Sequence, residues 1–498
     1  MNLIKVVISV SFLILLGRIS GFIREWVIAY KVGASYLSDY AMILITLPDL
    51  LVTLIIGGGF AAAVIPEFKS LKAKDANRLF LQLFAALGCL FLIAAILVSI
   101  FDNKFIFLLG PGLPRDFIDQ YSVYFLIASL AIPLTALSGV LKARMDSDNL
   151  FLYGAVGTLI FNTAIIIFIS VYTSLYFIQS LAVGILVGAL IRLFIQFFGT
   201  NRKSYFSYKN SNFNGLNKNF ILAIFSAISF SSLIIILPIV VRSILSIDSE
   251  GALTLFTFAW RVNEVPVGLI FGPLVTVVLP YVSTVYNSKN IIDTKATIII
   301  FLRAAFIISI AISIPMIFYS HTIIEFIFAS TELTDQQIKI VGTLTLISFI
   351  FLTFKALLAI LFAILSAVKG AKYLFQISLL ILTITIVLSF VLVNYLDIYG
   401  GMLAYSLSNL IGTLILYFML CKKLGNKVFT EVFSNFMKTF ILPCIISILI
   451  NYVGAKYLPN IYSFILLGGL SLVVFYYIFY LNDQLNTYNK LRKVSFQK

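Results

Sequence analysis

Seven cations and four acids stand inside stretches otherwise apolar enough to cross a bilayer: Arg18, Arg24, Arg192, Arg242, Arg261, Arg303 and Lys355, with Glu25, Asp39, Asp49 and Glu264. An ionised side chain at the centre of a membrane helix costs about 2.5–3.5 kcal/mol on insertion scales, so it faces a wet cavity or a partner. Guanidinium groups suit one chemistry above others, the gripping of phosphate through paired, charge-assisted hydrogen bonds in a site shielded from water. Arg24 and Arg261 are the cations best placed for such a cavity. Arg18 precedes Arg24 by six positions, about 120° around a helix, so the two need not share a face. Arg18 is expected to pack against Asp39 or Glu264. Arg261 and Glu264, three apart, also lie within reach of each other. Arg192 and Arg303 sit near the ends of their stretches, where long side chains reach the interface. These residues make Arg18, Arg24, Asp39, Arg261 and Glu264 the candidate binding set, with Glu25, Asp49, Arg242 and Lys355 as secondary members.

No catalytic constellation accompanies them. The sequence has no nucleotide-phosphate loop, zinc pattern or nucleophile elbow. The single histidine, His321, falls at the edge of an apolar stretch, and Cys89, Cys421 and Cys444 are widely spaced without a ligand pattern. The expected outer loops, the longest being 102–118 and 321–338, are too short to hold a membrane enzyme's active site. No enzyme activity, metal or cofactor is expected. Cations exceed acids inside the apolar stretches, which argues against a drug antiporter built on an acidic cavity.

The elements that must hold these charges are membrane helices. The chain has 498 residues, 61% hydrophobic and 11% charged, more apolar surface than a soluble core absorbs. Apolar runs fall at about 5–30, 37–65, 79–101, 119–141, 150–172, 177–199, 219–245, 252–284, 296–320, 339–367, 373–395, 399–421, 439–455 and 461–481. The fold class is therefore an all-α polytopic membrane protein with fourteen spans. Run 1 is read as an uncleaved helix, because Arg18 and more apolar sequence follow it. The net charge of +15 reflects topology, not nucleic-acid binding. With both termini cytoplasmic, the inner loops and tails hold 23 of the Lys and Arg residues, and the outer loops hold five: Lys31, Lys104, Arg115, Lys339 and Lys456.

Two echoes mark an internal repeat. "AAAVIPEFKS" (61–70) resembles "VTVVLPYVST" (275–284), and "LKARMDSDNLFLYG" (141–154) resembles "LSAVKGAKYLFQIS" (365–378). Six helices per repeat give parallel halves around a central cavity. The expected organisation is a lobe over 1–200, a cytoplasmic linker over 201–218, a second lobe over 219–422, and an addition over 423–498 containing the last two helices and a tail. Glycine and proline concentrate in the second span ("LPDLLVTLIIGGGFAAAVIP") and the eighth ("WRVNEVPVGLIFGP"), where they weaken the helical ladder and permit bending.

At "GRISGFIREWVIAYKVGASYLSDY" (17–40) with "LPDLL" (47–51), the sequence resembles the N-terminal signature of the MurJ/MviN proteins, the lipid II flippases of the multidrug, oligosaccharidyl-lipid and polysaccharide exporter superfamily. "FAWRVNEVPVGLIFGPLVTVVLP" (258–280) is similar to that family's eighth-helix signature, and "NLFLYGAVGTLIFN" (149–162) to its helix 4–5 region. The resemblance implies transport of an undecaprenyl-pyrophosphate-linked peptidoglycan precursor from the inner to the outer leaflet of the bacterial cytoplasmic membrane by alternating access. A cationic cavity would take the pyrophosphate. Arg18, Arg24, Asp39, Arg261 and Glu264 match the family's functional positions. The partners implied are the lipid-linked glycan, membrane lipid and a coupling ion, with a monomer as the working unit. Two positions depart from the family's pattern: Val52 stands where an arginine is usual and Gly57 where an acid is usual. They keep open an alternative substrate, another undecaprenyl-linked oligosaccharide such as an O-antigen or capsule repeat.

Overall fold

The computed structural model describes residues 3–56, 58–172, 174–199, 205–206, 215–216, 220–221, 224, 236–288, 290–368, 371–424 and 427–481. Among them the chain is helical, and helices fall on all fourteen expected spans. Seven are long and apolar enough to cross a membrane unaided, and a bent pair supplies an eighth. The side chains say what surrounds them. On the helix Ala73–Ile100, Leu79, Phe80, Leu83, Phe91, Ala95 and Val98 are buried. On the same helix Leu90, Leu92, Ile93, Ile96, Leu97 and Ile100 are exposed. An exposed apolar patch of that extent is tolerated in hydrocarbon and not in water. The protein is a multi-pass membrane protein.

Contacts group the chain into two compact units, residues 1–255 with 330–333, and residues 256–329 with 334–498. In unit 1, α1 (Leu3–Val32) packs along α8 (Phe151–Val171), α8 along α9 (Phe177–Gly199), and α4 (Ala73–Ile100) along α7 (Ala131–Ser147). The described residues of the second span are helical on both sides of Gly57, as α2 (Tyr36–Ile56) and α3 (Gly58–Ser70). The described part of the seventh span is α10 (Ile236–Leu245).

In unit 2 the eighth span is interrupted. α11 (Ala252–Pro266), whose first turn belongs to unit 1, passes through a π-helical turn at Val267–Phe271 into α12 (Gly272–Asn287). Pro266 and Pro273 each lack the N–H a regular ladder needs there. α13 (Ile291–Phe318) packs on α16 (Leu352–Ala367), α18 (Lys427–Tyr457) and α19 (Ile461–Leu481). α15 (Asp335–Ile350) meets α16 at a 49° bend. The long helix Ala371–Leu424, α17, contains two spans joined at Asp397, whose φ of 47° marks the kink.

At one end of unit 1, Arg144 ties the turn after α7 to its neighbours. It pairs with Asp148 at 2.9 Å, donates to Asn77 at 3.0 Å and lies 4.6 Å from the Tyr205 ring centroid. Tyr205 donates its hydroxyl to Asp148 at 2.7 Å. Burial, then that carboxylate, push the Tyr205 phenol above its ordinary pKa. This part of the expected 201–218 linker is thereby fastened to unit 1.

Candidate functional site

Each unit carries its own cluster of charge within its spans, buried in unit 1 and part-buried in unit 2. In unit 1, Arg24 and Glu25 are 3% and 2% exposed. A guanidinium so deep requires partners, and a neighbouring helix supplies one. Arg24 Nη1 donates to Asn162 Oδ1 at 2.8 Å, while Nη2 lies 3.4 Å from Glu25 Oε1. The Asn162 amide is itself held, since Nδ2 donates to the Gly17 carbonyl at 3.1 Å and to Ser20 Oγ at 3.2 Å. Gly21 leaves room for Asn162 beside α1: a Cβ there would stand 3.3 Å from Asn162 Nδ2, a tight contact that the amide would have to yield to. Arg24 is thus a fixed charge on an oriented amide. Arg18, one and a half turns earlier, is exposed.

Asp39 does something the sequence did not anticipate. Its carboxylate, 1% exposed, caps the start of α11: Oδ2 accepts the Gly251 N–H at 2.9 Å, and Oδ1 accepts the N–H and hydroxyl of Thr254 at 2.8 and 2.6 Å. Helix N-termini present orphan N–H groups and a positive dipole end, and an anion satisfies both. Asp39 therefore answers to Gly251 and Thr254 where the sequence suggested Arg18. Beside it, Glu250 accepts the Tyr36 N–H at 3.1 Å, and the Glu332 N–H donates to the Ala29 carbonyl at 3.2 Å. Arg242 is buried in unit 1 on α10. The side chain of Asp49 lies outside the described residues, as do the side chain of Val52 and all of Gly57.

In unit 2 the cluster centres on Lys355. Its ammonium pairs with Glu264 and donates to Asn263 Oδ1 at 3.1 Å. It stands 5.4 Å from the Tyr405 ring centroid and 5.8 Å from that of Trp260. The α15–α16 bend explains the arrangement. A helix that stops at Ile350 leaves its last carbonyls without intrahelical partners, and Asn263 Nδ2 donates to one of them, Ser348 O, at 3.2 Å. That bond turns Asn263 Oδ1 toward Lys355, which lies on the first turn of α16. The Trp260 indole N–H donates to the Tyr405 hydroxyl at 3.3 Å. Arg261 is half-buried, its guanidinium 5.2 Å from the Trp260 ring centroid. Sequence spacing put Arg261 beside Glu264, but it could not foresee Lys355, more than ninety residues on.

The neutral partners, Asn162, Asn263, Thr254 and Tyr405, were not singled out by sequence reasoning. One signal was available: an asparagine inside an apolar span needs a buried partner as a charge does. Among the described residues no group of His, Cys, Asp and Glu could hold a metal ion.

Broken helices, glycine-weakened spans and buried fixed charges define a polytopic transporter, and solved structures share the fold. A chain described as "Lipid II flippase MurJ, inward closed conformation" superimposes with a TM-score of 0.81 over 96% of this chain and 99% of that one, at 23% identity. An inward-facing multidrug resistance MATE family transporter of the MOP superfamily gives 0.70 over 84% and 96%, at 12% identity. The sequence model of the family described as "Lipid II flippase MurJ" matches residues 28–468, and the chain belongs to that family. It is 26% identical over 434 residues to "Probable lipid II flippase MurJ" of Buchnera aphidicola subsp. Schizaphis graminum, covering 85% of this chain and 84% of that protein. It is 24% identical over 346 residues to the "Lipid II flippase MurJ" of Burkholderia cenocepacia, covering 64% of each.

Proposed function

We propose that this protein carries lipid II, the undecaprenyl-pyrophosphate-linked peptidoglycan precursor, from the inner to the outer leaflet of the cytoplasmic membrane by alternating access. The match to the family over residues 28–468 carries the reading. Charge held within the spans of both units supports it, buried in unit 1 and part-buried in unit 2. Arg18, Arg24 and Arg261 offer guanidiniums for the pyrophosphate, while Asp39 and Glu264 fix the helices and cations around them. The protein works as a monomer with both termini cytoplasmic, an orientation supported by the 23-to-5 bias of basic residues. It makes and breaks no covalent bond. A membrane potential negative inside would assist release of the anionic headgroup by about 2.3 kcal/mol per charge per 100 mV. Substrate binding must also favour one conformation over the other, or it shifts nothing.

The test is complementation of a strain depleted of its own lipid II flippase. Survival with this protein as sole flippase is the expected result, and death with confirmed membrane insertion overturns the reading. Val52 and Gly57, in place of the family's usual charges, favour a second reading, transport of another undecaprenyl-linked oligosaccharide. Rescue of a strain lacking an O-antigen flippase, with no rescue of the first strain, would select it.

A further inference from the structure

The cluster around Lys355 has the composition of a monovalent-cation site. It offers a carboxylate oxygen from Glu264, an amide oxygen from Asn263 whose direction is set by Ser348, and the faces of Trp260 and Tyr405. The Tyr405 hydroxyl accepts from the Trp260 indole at 3.3 Å, which holds the two rings beside the ammonium. Oxygen donors around a single positive charge, walled by aromatic rings, suit an alkali-metal ion or a small ammonium. What occupies that place is the chain's own ammonium. The Lys355 side chain is 12% exposed and that of Glu264 29%. The cavity left among Trp260, Asn263, Ser348, Lys355, Tyr405 and Asn409 measures about 10 Å³, room for about one water molecule and no more.

We infer that Lys355 is a tethered counter-ion, filling a monovalent-cation site built by Asn263, Glu264 and Tyr405. Unit 2 therefore neutralises Glu264 without drawing an ion from solution, and the wild-type protein needs no particular alkali cation there. Removing the ammonium leaves the donors in place around an unbalanced carboxylate. A site that was self-filled becomes one that a free cation must fill. The inference rests on the geometry of unit 2, and it holds whichever lipid-linked glycan the protein carries.

The experiment uses the full chain in detergent, with melting temperature as readout, in sodium, potassium, propylammonium and choline chloride at matched ionic strength. Propylammonium replaces the atoms that Lys355→Ala removes, and choline is too large for the place. The wild type is expected to melt at one temperature in all four salts. Lys355→Ala is expected to melt lowest in choline and to recover by about 2–4 °C in propylammonium or in one of the alkali salts. Lys355→Ala/Glu264→Gln, with neither charge, is expected to fold and to be indifferent to the salt.

Equal melting of Lys355→Ala in all four salts overturns the inference. So does its failure to fold in any of them while the double variant folds, which would make the pair a structural ion pair only. A double variant as salt-sensitive as the single would place the cation elsewhere and also overturn it. Failure of the wild type to complement a flippase-depleted strain would sink the proposed function and leave these melting curves as they are.

Discussion

Asp39 and Thr254, 215 residues apart, are joined by two hydrogen bonds to one carboxylate oxygen, from the Thr254 N–H at 2.8 Å and its hydroxyl at 2.6 Å. The side chain of one span thus starts another. Asp39→Ala strands the N–H groups of Gly251 and Thr254 at a helix start, a loss of about 1–3 kcal/mol. Asp39→Asn keeps one acceptor but turns an amide N–H₂ toward a backbone N–H, so it is expected to fall between wild type and Asp39→Ala. Thr254→Val removes only the hydroxyl bond, about 1 kcal/mol. Melting temperatures of the three purified variants check the order; equal values would mean that the cap contributes nothing.

That relationship also shows where sequence reading stops. The spans were legible because hydrocarbon imposes a length and a composition on every helix that crosses it. The interruption of the eighth span was legible because Pro266 and Pro273 cannot donate to a ladder. Arg24, Glu25, Asp39, Glu264 and Lys355 stood out because charge is rare in apolar sequence. Their partners did not, because periodicity reports the face a residue occupies on its own helix and is silent about which distant helix lies opposite. Asn162, 138 residues from Arg24, and Thr254 became visible only once the helices were packed.

Arg24 rests on Asn162, which accepts from its Nη1 at 2.8 Å. Asn162→Leu removes the oxygen that receives Nη1 and the amide that holds Gly17 and Ser20. The buried guanidinium loses a hydrogen bond while keeping Glu25 beside it, at a cost of about 1.5–3 kcal/mol. Arg24→Gln/Asn162→Leu removes the charge as well and is expected to regain part of that stability while failing to complement a flippase-depleted strain. The thermodynamic cycle over the two single variants and the double measures the coupling. Additivity would mean that the Arg24–Asn162 bond is energetically idle.

Gly251 sits at φ +79°, where a Cβ would stand 2.7 Å from the backbone of Ala34. Backbone does not yield as a side chain does, so Gly251→Ala combines left-handed strain with a clash and is expected to destabilise by more than 1 kcal/mol. Gly469, inside α19, has nothing within 4 Å of its would-be Cβ. Gly469→Ala is expected to be neutral or to stabilise by up to about 1 kcal/mol, from helix propensity alone. Opposite shifts in melting temperature from the same chemical change are the check.

Asp146 lies in the last turn of α7, outside the apolar span, and its carboxyl is pushed above its ordinary pKa, chiefly by burial, with Lys142 opposing. A carboxyl whose folded-state pKa is raised favours the folded state while protonated. Its contribution is full below the unfolded pKa and is lost as pH rises through the folded one. At neutral pH the charged Asp146 therefore works against folding, as does its place at the negative end of a helix dipole. Asp146→Asn is expected to melt above the wild type at pH 7.5. The gap is expected to narrow as pH falls toward the ordinary carboxyl range, near 4. Melting curves across that range decide it: a gap that widens with acid, or a variant less stable at pH 7.5, would mean that the ionised pair with Lys142 outweighs burial.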